Sequence, residues 1–245
     1  MRAAEIHQAW RALPKGTLND VAGTGRVLIL APHPDDESLG CGGLIAALCA
    51  AGRPPWVVIL TDGSRSHPNS RSVPPLKMRA VRAQEARDAA ALLGLPADFL
   101  VFLALPDGAA PHTGAQFDEV VAQLCAMVRA GDTICTTWEH EPHCDHLAAW
   151  RIARAAARMR GARLVAYPVW GWMLPAHAEL PGEEAARPGR RLDVRAWLPQ
   201  KRAASEAHRS QFGQVVTDDA DGFVLPDALL DVLLSPDEVY LWGDV

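Results

Sequence analysis

The chain has 245 residues, room for one substantial core, and its 49% hydrophobic and 22% charged fractions exclude global disorder. A net charge of -5 argues against a general nucleic-acid binder, because phosphate neutralisation needs a basic face. The opening MRAAEIHQAWRALPKG carries charges throughout and lacks a signal-peptide core, and no stretch reaches the roughly 18 unbroken apolar residues of a membrane span. The five cysteines are odd in number and sit mostly in apolar segments, so they read as reduced, buried thiols and a cytoplasmic location is expected.

A single domain over 1–245 is expected, with residues 1–20 as an N-terminal extension forming a lone helix packed on it. From there two textures alternate. Arg26–Ala31 reads as a buried strand, Ser38–Ala51 as a helix and Trp56–Thr61 as a second strand. Pro75–Gly94 is a long helix with Met78, Val81, Ala89 and Leu92 on its apolar side and Gly94 as its stop. Phe99–Leu105, Asp132–Thr137 and Arg163–Tyr167 are further strands, separated by helices over Phe117–Ala130 and Asp145–Arg160. Pro175–Pro188 reads as an exposed loop, Lys201–Gln211 as a late helix and Glu238–Trp242 as a last strand. This repetition implies an α/β fold, a mostly parallel sheet with helices on both faces, whose ligand site lies beyond the carboxyl ends of the strands.

Two constellations fall on that rim. The first joins the first strand to the first helix and holds His33, Asp35, Asp36 and Glu37. As a plain helix start, the acids would be cap and dipole partners. As a site, a divalent cation would relieve the repulsion of adjacent carboxylates, with one as ligand and its neighbour taking a proton from water. The second constellation follows the fourth strand, where His140, His143 and His146 surround Asp145. A His/Asp pair from one rim loop and a His from the other make the three-ligand open site of a catalytic zinc.

The run His33-Pro34-Asp35-Asp36-Glu37 after an apolar strand resembles the HPDDE signature of the PIG-L/LmbE-like zinc-dependent N-deacetylases. His143-Cys144-Asp145-His146-Leu147-Ala148 is similar to that family's HPDHxA motif, with Cys144 in place of proline. Thr61-Asp62-Gly63, Arg82 with Glu85, and Lys201 with His208-x-Ser210-Gln211 extend the resemblance over residues 26 to 213. The resemblance implies a Rossmann-like three-layer sandwich and one Zn2+ per chain held by His33, Asp36 and His146. It implies Asp35 as the base that deprotonates the activated water and His143 as the oxyanion stabiliser and possible acid toward the leaving amine. The implied substrate is a small N-acetylated amino sugar or glycoconjugate of the N-acetylglucosamine type, and self-association into homo-oligomers is common in such a family.

Other residues carry two readings each. Arg82 either reaches substrate or pairs with acids on its own helix, and Asp62 either orients a site residue or makes a turn with Gly63. His208 and Gln211 either border the pocket or are bonded structurally. Trp138, Trp170 and Trp172 either stack on a sugar or pack in the core, and Cys41 and Cys144, beside the motifs, are either soft metal ligands or inert thiols. Residues 64–75 and 173–191 are expected to form the substrate rim. An amidase acting on a thiol conjugate, a phosphoester hydrolase and a catalytically silent binding domain remain as alternatives on the same fold.

Overall fold

The computed structural model describes residues 1–181 and 187–244. Helix α1 (Ala3–Ala12), strand β1 (Lys15–Gly16) and helix α2 (Leu18–Ala22) come first. The alternating part then runs β2 (Val27–Ala31), α3 (Asp36–Ala50), β3 (Trp56–Thr61), α4 (Pro75–Leu92) and β4 (Leu100–Leu105). It continues with α5 (Ala115–Met127), β5 (Thr133–Thr137), α6 (Cys144–Arg160) and β6 (Arg163–Tyr167). Strand β7 (Gly189–Asp193), α7 (Leu198–Ala207), α8 (Asp227–Leu233) and β8 (Asp237–Trp242) complete it. Every strand and helix expected between residues 26 and 167 is present, with only their ends moved.

The differences lie at the two ends of the chain. Residues 1–20 form two helices and an edge strand, not one helix. The segment expected as an open rim over 173–191 runs into β7, which pairs with β1 and β8; its residues 182–186 lie outside the described residues. Partners such as Arg191↔Val239 are remote in sequence, so local polarity hides the strand. The late helix ends at Ala207, because His208 leaves helical backbone at φ -77, ψ 55, and a 3-10 turn over Arg209–Phe212 follows.

The sheet order is β1-β7-β8-β6-β5-β2-β3-β4. The five strands β4, β3, β2, β5 and β6 are parallel, and β8 runs antiparallel to β6 and β7. The chain winds outward from β2 in both directions, so β2 and β5 meet at the topological switch where such sheets bind ligands. Because helices cover both faces, β2 and β5 are buried along their whole length. Val27 and Ile29 pack with α3, α7 and α8 on one side; Leu28 and Leu30 pack with α1, α5 and α6 on the other. The result is a three-layer α/β sandwich.

Helix α3 begins at the switch and is buried on nearly every side. Gly40 allows this: a Cβ there would stand 2.2 Å from the Tyr167 ring. Glu238 of β8 accepts hydrogen bonds from the N–H groups of Gly43 (2.7 Å) and Leu44 (2.9 Å), and Lys201 of α7 pairs with it at 2.8 Å. Tyr240 donates its hydroxyl to the same carboxylate at 2.7 Å. This buried group ties α3, α7 and β8 together beneath the rim. Among the described residues no helix is long and apolar enough to cross a membrane.

Lys201→Met should therefore remove the cation paired with buried Glu238, costing about 3 kcal/mol in denaturant unfolding. A variant as stable as the parent would show that Tyr240 and the α3 amides suffice to hold the carboxylate.

Candidate active site

The loop after β2 braces itself. Asp36 Oδ2 accepts from the His33 N–H (3.0 Å) and lies 3.3 Å from His33 Nδ1. Asp35 caps α3 with φ 143, a conformation that an L-residue adopts under strain and that turns its carboxylate toward the rim. Its N–H donates to Glu37 Oε2 at 3.0 Å. The loop after β5 supplies His143 as the cap of α6, its Nδ1 accepting from the Asp145 N–H at 3.1 Å. Since Nδ1 is the acceptor, the neutral ring carries its proton on Nε2. Cys144 occupies the first helical position, where an N–H has no helical partner, so proline and cysteine both fit there.

The two loops meet. His146 Nε2 lies 3.2 Å from Asp36 Oδ2, and the rings of His33 and His143 pack edge-on with centroids 4.7 Å apart. Each of two imidazoles is held between carboxylates. His33 has Asp36 at Nδ1 and Asp145 (3.2 Å) and Asp107 (3.3 Å) at Nε2; His146 has Asp36 at Nε2 and Glu141 at Nδ1 (3.1 Å). A carboxylate only accepts, so a ring between two of them needs a second positive centre: an added proton or a metal ion.

The charges follow from this crowding. Burial raises the Asp35 carboxyl to about 6, with Arg82 opposing and Asp36 adding to the rise. Burial would also raise Asp36, but His146 and His33 outweigh it and hold that carboxylate well below its usual range. For His146, burial favours the neutral ring, yet Asp36 and Glu141 bring it up to about 9. His143 is lowered, by burial first and then by the neighbouring His33 and His146. A bound cation would take the place of the protons on the two sandwiched rings.

The donor set fits a metal. Nitrogen atoms of His33, His143 and His146 lie within 4.8 Å of one another, as do single ligand atoms of His33, Asp107, His143 and Asp145. His146 Nε2 is buried without a hydrogen-bond partner among the described residues. Ligand atoms around a tetrahedral zinc at about 2.0–2.1 Å stand about 3.3 Å apart. The Asp36–His33 and Asp36–His146 separations of 3.3 and 3.2 Å match that edge.

A cavity of about 320 Å³ opens above this cluster, at the small end of the range for ligand sites. His33, Asp35, Asp36, Asp107 and His143 form its floor; Arg65, Ser66, Trp170, Gln211, Phe223 and Leu225 form its walls. Arg82 also lines it, but its guanidinium is committed to Asp35 Oδ2 (3.0 Å), the Pro34 carbonyl (2.6 Å) and the Gly63 carbonyl (3.2 Å). Arg82 thus holds Asp35 in place.

Several expected residues lie elsewhere. Asp62 does not line the cavity; its carboxylate accepts from the Ser64 N–H in a turn. His208 is fully buried behind α3, with Nε2 3.2 Å from both Glu37 Oε1 and Ser38 Oγ, and Gln211 reaches the wall in its place. Of the three tryptophans only Trp170 lines the cavity. Trp138 and Trp172 pack against Trp10 of α1 with centroids 4.8 Å apart. Of the two expected rim segments, 64–75 contributes Arg65 and Ser66, while the described part of 173–191 contributes nothing. Its place is taken by Phe223 and Leu225, on a segment clasped to the first loop by Asp218, which accepts from Ser70 Oγ (2.7 Å), the Arg71 and Ser72 N–H groups (2.9 Å each) and Ser72 Oγ (2.8 Å).

Asp107 and Glu141 went unnoticed in the sequence, and Asp145 had no role there beyond its motif. The turn Pro106-Asp107-Gly108 directly after a strand was the signal for the first. Asp145 accepts from the Gly108 N–H (2.7 Å) and the Ala110 N–H (3.0 Å), so it binds that turn to the second motif.

The chain is similar to known proteins. A 2'-N-acetylparomamine deacetylase of Streptomyces fradiae is 44% identical over 59 residues, 23% of this chain and only 20% of that protein. A probable N-acetyl-alpha-D-glucosaminyl L-malate deacetylase 2 of Bacillus anthracis is 29% identical over 198 residues, 78% of this chain and 84% of the other. In three dimensions the chain is similar to the N,N'-diacetylchitobiose deacetylase of Pyrococcus horikoshii, with a TM-score of 0.68 and 18% identity over 97% of this chain and 90% of that one. The sequence pattern of the PIG-L family, GlcNAc-PI de-N-acetylase, matches residues 28–157, which include both constellations and more than half of the chain. The chain belongs to the PIG-L family of de-N-acetylases, which are amide hydrolases.

Proposed function

We propose that this protein is a zinc-dependent hydrolase that removes the N-acetyl group from a small amino sugar of the N-acetylglucosamine type. One observation carries the reading: Asp36 Oδ2 sits between His33 Nδ1 and His146 Nε2 on a cavity floor that also presents Asp35. His33, Asp36 and His146 would hold one ion per chain, a mixed imidazole and carboxylate set suited to zinc. When bound, the ion polarises an amide carbonyl and acidifies water at the site.

The chain's own groups do the rest. Asp35, braced by Arg82, takes a proton from the attacking water as its oxygen bonds to the acyl carbon. His143 directs its Nε2–H at the carbonyl oxygen, where negative charge develops. The carbon–nitrogen bond then breaks, the proton held by Asp35 passes to the leaving nitrogen, and acetate and the free amine depart. Trp170 offers a ring face and Asp107 and Gln211 offer polar groups to a sugar. The names of the relatives support an amino-sugar substrate. The five cysteines are free thiols, in keeping with a reducing, cytoplasmic setting.

The decisive experiment is metal analysis of the purified chain together with acetate release from a panel of N-acetylglucosaminides, before and after chelation. About one zinc per chain with chelator-sensitive release is expected. Zinc without release would move the reading to another acyl group, and no metal after reconstitution would overturn it. Asp35→Asn should retain zinc while kcat falls by about 10²–10⁴, the usual worth of a general base; near-normal turnover would remove Asp35 from the mechanism. Asp218→Ala should unclasp the cavity wall and raise KM roughly threefold or more at unchanged kcat and zinc content. An unchanged KM would mean the wall does not touch substrate.

A further inference from the structure

Glu141 stands five residues before His146, outside both motifs, and its side chain is fully buried. Four donors converge on it. Oε1 accepts from the N–H groups of Val169 (2.8 Å) and Gly171 (2.9 Å); Oε2 accepts from the Trp170 N–H (2.7 Å) and from His146 Nδ1 (3.1 Å). The approach is close enough that a Cβ on Gly171 would come within 3.1 Å of Oε1. The far side of this turn is held by α1, where His7 Nε2–H donates to the Gly171 carbonyl at 2.8 Å.

A carboxylate oxygen only accepts, so Nδ1 of His146 must carry a proton. Its other nitrogen, Nε2, faces Asp36 Oδ2 at 3.2 Å. We infer that Glu141 is a positioning residue: it fixes His146 in the Nδ1–H tautomer that leaves Nε2 free for a metal ion, and with the same carboxylate it sets the turn that carries Trp170 into the cavity. The inference rests on the reading of His146 as a metal ligand. A partner that orients a ligand in this way is worth about 10- to 100-fold in metal affinity.

Glutamine at this position makes the inference sharp. Its single carbonyl oxygen can take the place of Oε1 or of Oε2, but not both. In the first case it satisfies Val169 and Gly171, and the amide NH2 faces the Trp170 N–H and His146 Nδ1. In the second case the NH2 opposes two backbone N–H groups. The first placement opposes only one fixed donor, because the imidazole can respond by moving its proton to Nε2. That tautomer points a hydrogen at the metal position and cannot ligate.

The test uses the full chain stripped of metal, with Zn2+ as probe. Nitrogen-15 spectra of the imidazoles, with the His146 signal identified by its loss in His146→Ala, should show Nδ1–H in the wild type. A ring protonated on Nε2 alone would overturn the inference without any further variant, whereas an added proton on the metal-free ring leaves Nδ1–H in place. Glu141→Gln should shift His146 to Nε2–H and weaken zinc affinity, measured by chelator competition, about 10- to 100-fold. A merely structural role would lower the melting temperature of the metal-free chain and leave both the tautomer and the zinc affinity of the folded protein unchanged; that result would overturn it too. His146→Ala separates the two layers. If it loses zinc while Glu141→Gln does not, the ligand reading stands and the role of Glu141 falls; if it keeps wild-type affinity, the ligand reading itself fails.

Discussion

A single carboxylate oxygen, Asp36 Oδ2, approaches two imidazole rings from loops more than one hundred residues apart, and the site is organised around that contact. It is a demanding arrangement. Asp36 is almost completely buried, and so are Asp35, Glu37, Glu141 and Asp145. Gathering so much negative charge away from water is unfavourable unless protonated rings, an arginine or a metal ion answer it. The protein supplies the rings and the arginine, and His146 Nε2 has no hydrogen-bond partner among the described residues. A structural turn would gain nothing from such crowding.

The rest of the fold makes the contact possible. Outward winding from β2 puts the loops after β2 and β5 side by side, and the parallel register points both at the same crevice. Helix α3 must then start at the crevice and run beneath it, pressed against Tyr167, Val194 and Lys201 through glycines. Glu238 clamps α3 there, and Glu37 and Arg82 hold the strained Asp35 at its start. Carboxylates serve as joints throughout: Asp145 binds the turn after β4, Glu141 the turn after β6, and Asp218 the two loops of the cavity wall. Each accepts several backbone N–H groups at once, which is how irregular segments are fixed without a ladder.

Much of this was legible from residue order. Strands β2 to β6 are short apolar runs flanked by helical spacing, and periodicity suffices to find them. The loops after β2 and β5 were recognisable because the chemistry of His33, Asp35, Asp36, His143 and His146 is concentrated in a few consecutive residues. Where the signal was spread out it failed. Strand β7 has polar residues and owes its existence to β1 and β8; Phe223 and Leu225 reach the cavity from a segment with no periodic pattern at all. Asp62 and His208 are the converse case. Their neighbourhood in the sequence placed them beside the site, but a turn hydrogen bond from Ser64 holds the Asp62 carboxylate and the end of α7 sets the backbone of His208.

The order of the residues by itself determined the fold class and the identity of the two loops, and it pointed to the groups proposed as ligand and base, since periodicity and motif spacing are local quantities. Tertiary structure alone decided which carboxylate faces which ring. It also decided that Arg82 serves Asp35, and that the cavity wall is Trp170, Gln211, Phe223 and Leu225. The physical reason is range. Helix and strand formation are settled over a few neighbouring residues, whereas hydrogen bonds such as Glu141 to Gly171, or Asp145 to Gly108, join segments about thirty to forty positions apart that only packing brings into reach.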